Sequence, residues 1–304
     1  MTDTATTDAA PLAGIYLPLV TPFRDGALDE DSLRRLAAHF AAAPLDGLIL
    51  AGTTGEALTL DDDETARVVD IVAGIVGERM PIYLGLSGSD TRKLAKQLAA
   101  TESWPIAGYL VACPYYTRPS QEGMRRHFTA LAEATPRPLI IYNIPYRTGI
   151  NLANETLLRL AELPNIVGVK DCCGDAAQSY DLLRMRPPGF AVLTGEDALF
   201  YTALAHGADG GILAAAHVDP AGFAALRHEV LAGQRAAALT RWGELVDVAR
   251  LLFAEPNPAA IKHWLWRAGL IASPELRLPM TGVTPALAGK LDRLFWARRG
   301  AVAA

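Results

Sequence analysis

Lys170 closes the apolar run Ile166-Val167-Gly168-Val169. An amine held where water is scarce favours its neutral form. A neutral amine can attack a ketone and form an imine. A lysine at a strand end can equally snorkel to solvent. Gly52-Thr53-Thr54-Gly55-Glu56 follows another apolar run. Its glycines let a ligand approach the backbone, and N–H groups with a threonine hydroxyl suit a small carboxylate. The same residues also serve a plain strand-to-helix turn. The motif lacks the lysine of a phosphate-binding P-loop, so nucleotide binding is set aside. Arg147, near Gly149, suits bidentate binding of a carboxylate or a surface ion pair. Tyr142 ends an apolar run, where a core tyrosine is the ordinary reading. Tyr115 and Tyr116 lie in a Pro-flanked loop, a common place for aromatics at a subunit interface. Cys172 and Cys173 read as reduced, partly buried thiols more readily than as a redox pair.

These residues need elements to position them. Eight short apolar runs recur: 15–20, 47–51, 81–85, 108–112, 139–143, 166–170, 191–195 and 210–213. They are nearly continuous in Val, Ile and Leu, the pattern of parallel strands covered on both faces. Between them lie amphipathic helical patterns. The segment 29–43 carries Leu33, Leu36, Ala37 and Phe40 at helical spacing. The segment 61–77 opens with four acidic residues, suiting the positive end of a helix dipole. Ser120 is the expected N-cap of a third helix. Eight strand–helix units predict a closed (β/α)8 barrel over residues 1–230, with a disordered tail at 1–10. An open doubly wound sheet would want a Gly-rich dinucleotide fingerprint after its first strand, and none is present. Residues 231–304 read as a C-terminal helical extension, with breaks at Asn257-Pro258 and Leu278-Pro279. In such a barrel the site lies where the strands end. The residues that follow the runs, from Thr21-Pro22 to Gly195-Glu196-Asp197, are small, hydroxylated or ionisable.

Composition narrows the function classes. The chain has 304 residues, is 51% hydrophobic and carries a net charge of −5, so a nucleic-acid partner is not expected. No apolar run is long enough to span a bilayer, so no membrane partner is expected either. The start is polar and acidic and does not resemble a signal peptide, and three cysteines with two adjacent do not resemble a disulfide framework. A reducing cytoplasm is the expected compartment. The six histidines form no His-x-x-x-His pair and no zinc spacing, so no metal is expected.

Together the motifs resemble one family, the dihydrodipicolinate synthase / N-acetylneuraminate lyase family of class I aldolases. The likeness runs from Gly14 to about Leu291. It is carried by GTTGE at 52–56, PYYTRPSQEG at 114–123, YNIPYRTG at 142–149, GVKD at 168–171, TGED at 194–197, DGGIL at 209–213 and NPAAIKHWLWRAGL…ELRLPM at 257–280. The resemblance implies a Schiff-base lyase acting on pyruvate and a small aldehyde. It implies that Lys170 forms the imine, that Tyr142 passes protons, and that Thr53 links Tyr142 to a second tyrosine, Tyr116, reaching in from a neighbouring subunit. It implies Thr54 and its backbone at the pyruvate carboxylate, Arg147 at the carboxylate of the aldehyde substrate, and Gly195 and Ile212 lining the site through backbone groups. No cofactor is implied beyond the lysine. A homo-oligomer is implied, as a tetramer built from two dimers.

Arg147 within YNIPYRTG favours the branch that condenses pyruvate with L-aspartate semialdehyde to 4-hydroxy-tetrahydrodipicolinate, a step of lysine and diaminopimelate biosynthesis. The alternative is an aldolase or dehydratase acting on another 2-oxo acid, such as a 2-keto-3-deoxy sugar acid or 4-hydroxy-2-oxoglutarate. Three departures bear on that choice. Tyr146 stands where the synthases usually have serine, Asp171-Cys172-Cys173 where they have Glu-Ala-Thr, and Ala215-Ala216-His217 where they have Thr-Ala-Asn. The residues at the places of a regulatory lysine site are Asp62, Thr65, Ser89 and Lys93. Lys93 would repel an ammonium group, so weak or absent inhibition by lysine is expected.

Overall fold

The computed structural model describes residues 12–302, with side chains to residue 298. The expected tail at 1–10 lies outside the described residues. The eight apolar runs form eight parallel strands: β1 (Gly14–Pro18), β2 (Gly47–Leu50), β3 (Ile82–Leu86), β4 (Gly108–Ala112), β5 (Leu139–Asn143), β6 (Ile166–Asp171), β7 (Ala191–Thr194) and β8 (Gly210–Ile212). Each pairs with its sequence neighbours, and β8 returns to β1, closing the barrel. A two-stranded antiparallel hairpin, Phe23–Arg24 with Ala27–Leu28, follows β1 in the chain.

Alternation along the strands divides two cores. On β5, Ile140 and Tyr142 join the barrel interior, while Leu139 and Ile141 face the helices. On β4, Leu110 and Ala112 point in and Tyr109 and Val111 out. Tyr16, Ile49, Tyr83 and Leu193 fill the rest of the interior. The barrel is thus a packed plug, filled by apolar and aromatic side chains.

The outer ring begins with α1 (Glu30–Ala41) and α2 (Asp62–Val76). Both helices start one residue after the predicted position, because Asp29 and Asp61 act as N-caps. Asp29 accepts the Ser32 N–H at 3.0 Å. Asp61 and Glu64 form a reciprocal capping box, which satisfies two otherwise orphaned donors. The ring continues with α3 (Thr91–Ala100), α4 (Gln121–Glu133), α5 (Asn154–Leu160), α6 (Ala176–Met185), α7 (Phe200–Ala205) and α8 (Pro220–Leu231). Ser120 caps α4 by accepting the Gly123 N–H at 3.1 Å. Beyond the ring come α9 (Arg235–Leu252), α10 (Ala259–Arg267) and α11 (Pro285–Val302). The two breaks read between these helices are cis peptides, Asn257-Pro258 and Leu278-Pro279. Among the described residues no helix is long and apolar enough to cross a membrane.

Candidate active site

β5 and β6 pair with Tyr142 opposite Lys170. Residues opposed on neighbouring parallel strands share a face, so both side chains enter the top of the barrel together. Lys170 is buried, only 7% exposed, with its Nζ 4.2 Å from the centroid of the Tyr142 ring. Burial pulls the Lys170 amine below the usual lysine range, and Arg147 adds to that. Cys172, Asp197 and Glu196 pull the other way. The lysine thus carries a larger neutral fraction at neutral pH than an exposed one would. Burial raises the Tyr142 phenol well above its ordinary value, so it stands as a protonated donor.

One cavity gathers Lys170, Tyr142, Thr53, Thr54, Arg147, Gly195 and Ile212. Those seven predicted site residues come from β5, β6 and β8 and from the turns after β2, β5 and β7. Gly195 explains how the lysine fits. A Cβ at this position would collide with Cε of Lys170 and Sγ of Cys172. Thr54 is buried and its Oγ1 accepts a hydrogen bond from Nδ2 of Asn257 at 2.9 Å. Thr53 lies exposed on the cavity rim. No hydrogen bond joins it to Tyr142 among the described residues.

Tyr116 is not brought to the cavity. It is 92% exposed, with φ of 68°, and its N–H donates to the Thr148 carbonyl at 3.2 Å. Within one chain the expected Tyr142–Thr53–Tyr116 relay is therefore not assembled.

The cavity also holds residues that the sequence reading did not single out for the site. Asp197 follows Gly195 and Glu196, and its Oδ1 accepts the Ala215 N–H at 2.6 Å. Burial raises its carboxyl to about 7, against the pull of that hydrogen bond and of Lys170. A group poised there can hold or release a proton near neutrality. Asn257 reaches the cavity from the segment before α10, which is distant in sequence from every strand end. An acidic residue just past a strand end was a signal for Asp197; Asn257 opens the motif at 257–270, but nothing local says which turn it meets.

The departures take definite places. Tyr146 lines the cavity beside Arg147, on the helical turn Pro145–Thr148. Cys172 is buried in the barrel interior and Cys173 is half-buried, and burial raises both thiols, which favours their protonated form. His217 does not line the cavity. Its Nδ1–H donates to the Ala214 carbonyl at 2.8 Å and its Nε2 accepts the Val20 N–H at 3.2 Å. It is a neutral structural tie across β1 and the segment after β8.

The chemistry on offer is specific: a desolvated amine, a phenol beside it, a threonine turn suited to one carboxylate and a guanidinium suited to another. Comparison with known proteins points to one family. The model of the dihydrodipicolinate synthetase family matches residues 11–295. A 4-hydroxy-tetrahydrodipicolinate synthase 2 from Clostridium acetobutylicum is 42% identical over 93% of this chain and 99% of its own length. A 4-hydroxy-tetrahydrodipicolinate synthase from Moorella thermoacetica is 42% identical over 89% and 92%. The crystal structure of dihydrodipicolinate synthase from Aquifex aeolicus superposes with a TM-score of 0.91 at 31% identity, covering 94% of this chain and 98% of that one.

Proposed function

The chain belongs to the dihydrodipicolinate synthetase family, and we propose that it condenses pyruvate with L-aspartate semialdehyde to 4-hydroxy-tetrahydrodipicolinate through a Schiff base on Lys170. The observation that carries the reading is the buried Lys170 amine beside Tyr142, in one cavity with Thr54 and Arg147.

The steps follow from these groups. The neutral Nζ of Lys170 attacks the pyruvate ketone, and the oxygen leaves as water once protonated. Tyr142, kept protonated by burial, is placed to supply that proton. The turn at Thr53 and Thr54 holds the pyruvate carboxylate through backbone N–H groups. The imine withdraws electrons, so the former methyl group loses a proton and becomes an enamine carbon. That carbon attacks the aldehyde, whose carboxylate lies on the Arg147 guanidinium. The substrate's own amine then attacks the imine carbon, closing the ring and returning Lys170 as the free amine. Gly195 and Ile212 wall the cavity through their backbone groups. No cofactor enters these steps.

Tyr116 completes the relay from a second copy of the chain, in a dimer or a tetramer of two dimers. The cytoplasm is the proposed compartment.

Borohydride reduction in the presence of pyruvate tests the first half. An adduct of about 72 Da on Lys170 is expected, the mass of pyruvate less water plus two hydrogens. No adduct on Lys170 overturns the reading. A panel of aldehydes with pyruvate, together with assays for cleavage and dehydration of 2-oxo acids, tests the second half. Preference for a 2-keto-3-deoxy sugar acid or 4-hydroxy-2-oxoglutarate would move the chain to the related aldolases, and Tyr146 in the cavity beside Arg147 is the observation that favours that outcome.

A further inference from the structure

Glu56 ends the Thr53–Thr54 turn with φ of 55°, a left-handed conformation uncommon for a residue with a side chain. Its side chain turns away from the cavity and forms a buried ion pair with Lys262 of α10. Lys262 is fully buried, donates to the Glu275 carbonyl at 2.8 Å, and sits 4.3 Å from the centroid of the Phe23 ring. The other oxygen of Glu56 accepts the Arg277 N–H at 3.1 Å. Five residues before Lys262, Asn257 donates to Thr54. The C-terminal extension therefore holds the turn at two places, Thr54 and Glu56. Thr21 pins it at a third, donating to the Gly55 carbonyl at 2.8 Å.

A buried ion pair is a poor way to gain stability, since a well-packed apolar pair does as well or better. What it does supply is a fixed position, because neither buried charge can move without losing its oppositely charged partner. Neither Glu56 nor Lys262 lines the cavity.

We propose that Glu56 and Lys262 are positioning residues: their buried pair sets the backbone of residues 52–56 for the pyruvate carboxylate. This rests on the pyruvate reading of Thr53 and Thr54. The extension is then part of the catalytic apparatus although it supplies no reacting group.

The test uses Lys262→Met and the double variant Glu56→Gln with Lys262→Met. Lys262→Met leaves a buried unpaired carboxylate, and the double variant removes it. Lys262→Met is expected to raise the KM for pyruvate about tenfold and leave the KM for the aldehyde within about twofold, with a lower Tm. In the double variant the Tm recovers and the pyruvate KM stays high. Hydrogen exchange at the amides of 52–56 is expected to quicken in the double variant, with the barrel strands unchanged. Recovery of both Tm and pyruvate KM, or unchanged exchange at 52–56, overturns the proposal. Where Lys262→Met fails to fold, the double variant alone decides. Faster exchange in a protein whose wild type traps no pyruvate would leave the clamp standing and sink the pyruvate reading, so the two failures are distinct.

Discussion

Gly195 and Lys170 show how little room the reacting amine has. A methyl group on Gly195 would occupy the space of Lys170 Cε and Cys172 Sγ. The backbone at Gly195 is not left-handed, so alanine is tolerated by the main chain. Gly195→Ala should therefore fold and yet lose about a hundredfold in borohydride-trapped Lys170, because a displaced amine misses its attack geometry. A variant that traps at the wild-type rate would show that the lysine reaches its substrate by another path. The charge on the same amine gives a second prediction. Imine formation needs the neutral amine, so trapping should rise with pH through the lowered pKa of Lys170. Asp197, once ionised above about 7, stabilises the ammonium and raises that midpoint. Asp197→Asn removes the carboxylate, so the rising limb should move to lower pH. A limb that stays in place or moves upward would exclude Asp197 from the electrostatics of Lys170.

Between β8 and α8 the chain carries His217, which joins Val20, just past β1, to Ala214, just past β8, through its two ring nitrogens. Burial lowers its pKa to about 4, against an ordinary value of 6.5. Above 6.5 the imidazole is neutral in both folded and unfolded chains and adds no pH dependence. As pH falls from 6.5 toward 4, the unfolded chain takes up a proton that the folded one refuses, so stability is lost. The loss is on the order of 3 kcal/mol by pH 4. His127, buried at its contact with Thr91, is lowered to about 4 as well and adds to the slope. His217→Gln should flatten the fall of Tm between pH 6.5 and 4, with His127 accounting for what remains. An unchanged slope would refute the assignment. The same elements show what sequence can reveal. The strands were legible because both faces are covered, which writes them as unbroken apolar runs. Lys170, Tyr142 and Arg147 were legible because a barrel presents whatever follows such runs at one rim. Asn257 and the Glu56–Lys262 pair were not, because their partners lie about 200 residues away and no local pattern encodes which turn a distant lysine will meet. His217 was visible only as a departure from a motif, and its role is a contact across the closure of the barrel.

The whole molecule leaves one predicted residue without a place. Tyr116 is held out from the chain at 92% exposure, on a loop whose backbone is fixed by Thr148 and by Ser89, which donates to the Tyr115 carbonyl at 2.5 Å. Large, nearly fully exposed aromatics on an ordered loop are costly to leave in water and common at subunit contacts. In a two-fold dimer the same loop is offered by each copy to the other, so a residue acting across the contact serves its partner's cavity and not its own. That geometry can be separated from a role within one chain by mixing two inactive proteins. Lys170→Ala supplies a sound Tyr116 but no amine, and Tyr116→Phe supplies a sound amine but no hydroxyl. If Tyr116 acts across the contact, co-refolded mixed dimers contain one complete site each, and random pairing of equal amounts restores about a quarter of the wild-type sites. If Tyr116 serves its own chain, every site in the mixture lacks either the lysine or the tyrosine hydroxyl, and activity stays at the level of the parents. Recovery near a quarter would assign the relay to two subunits, and no recovery with dimers confirmed by sedimentation would confine the chemistry to the cavity of a single barrel.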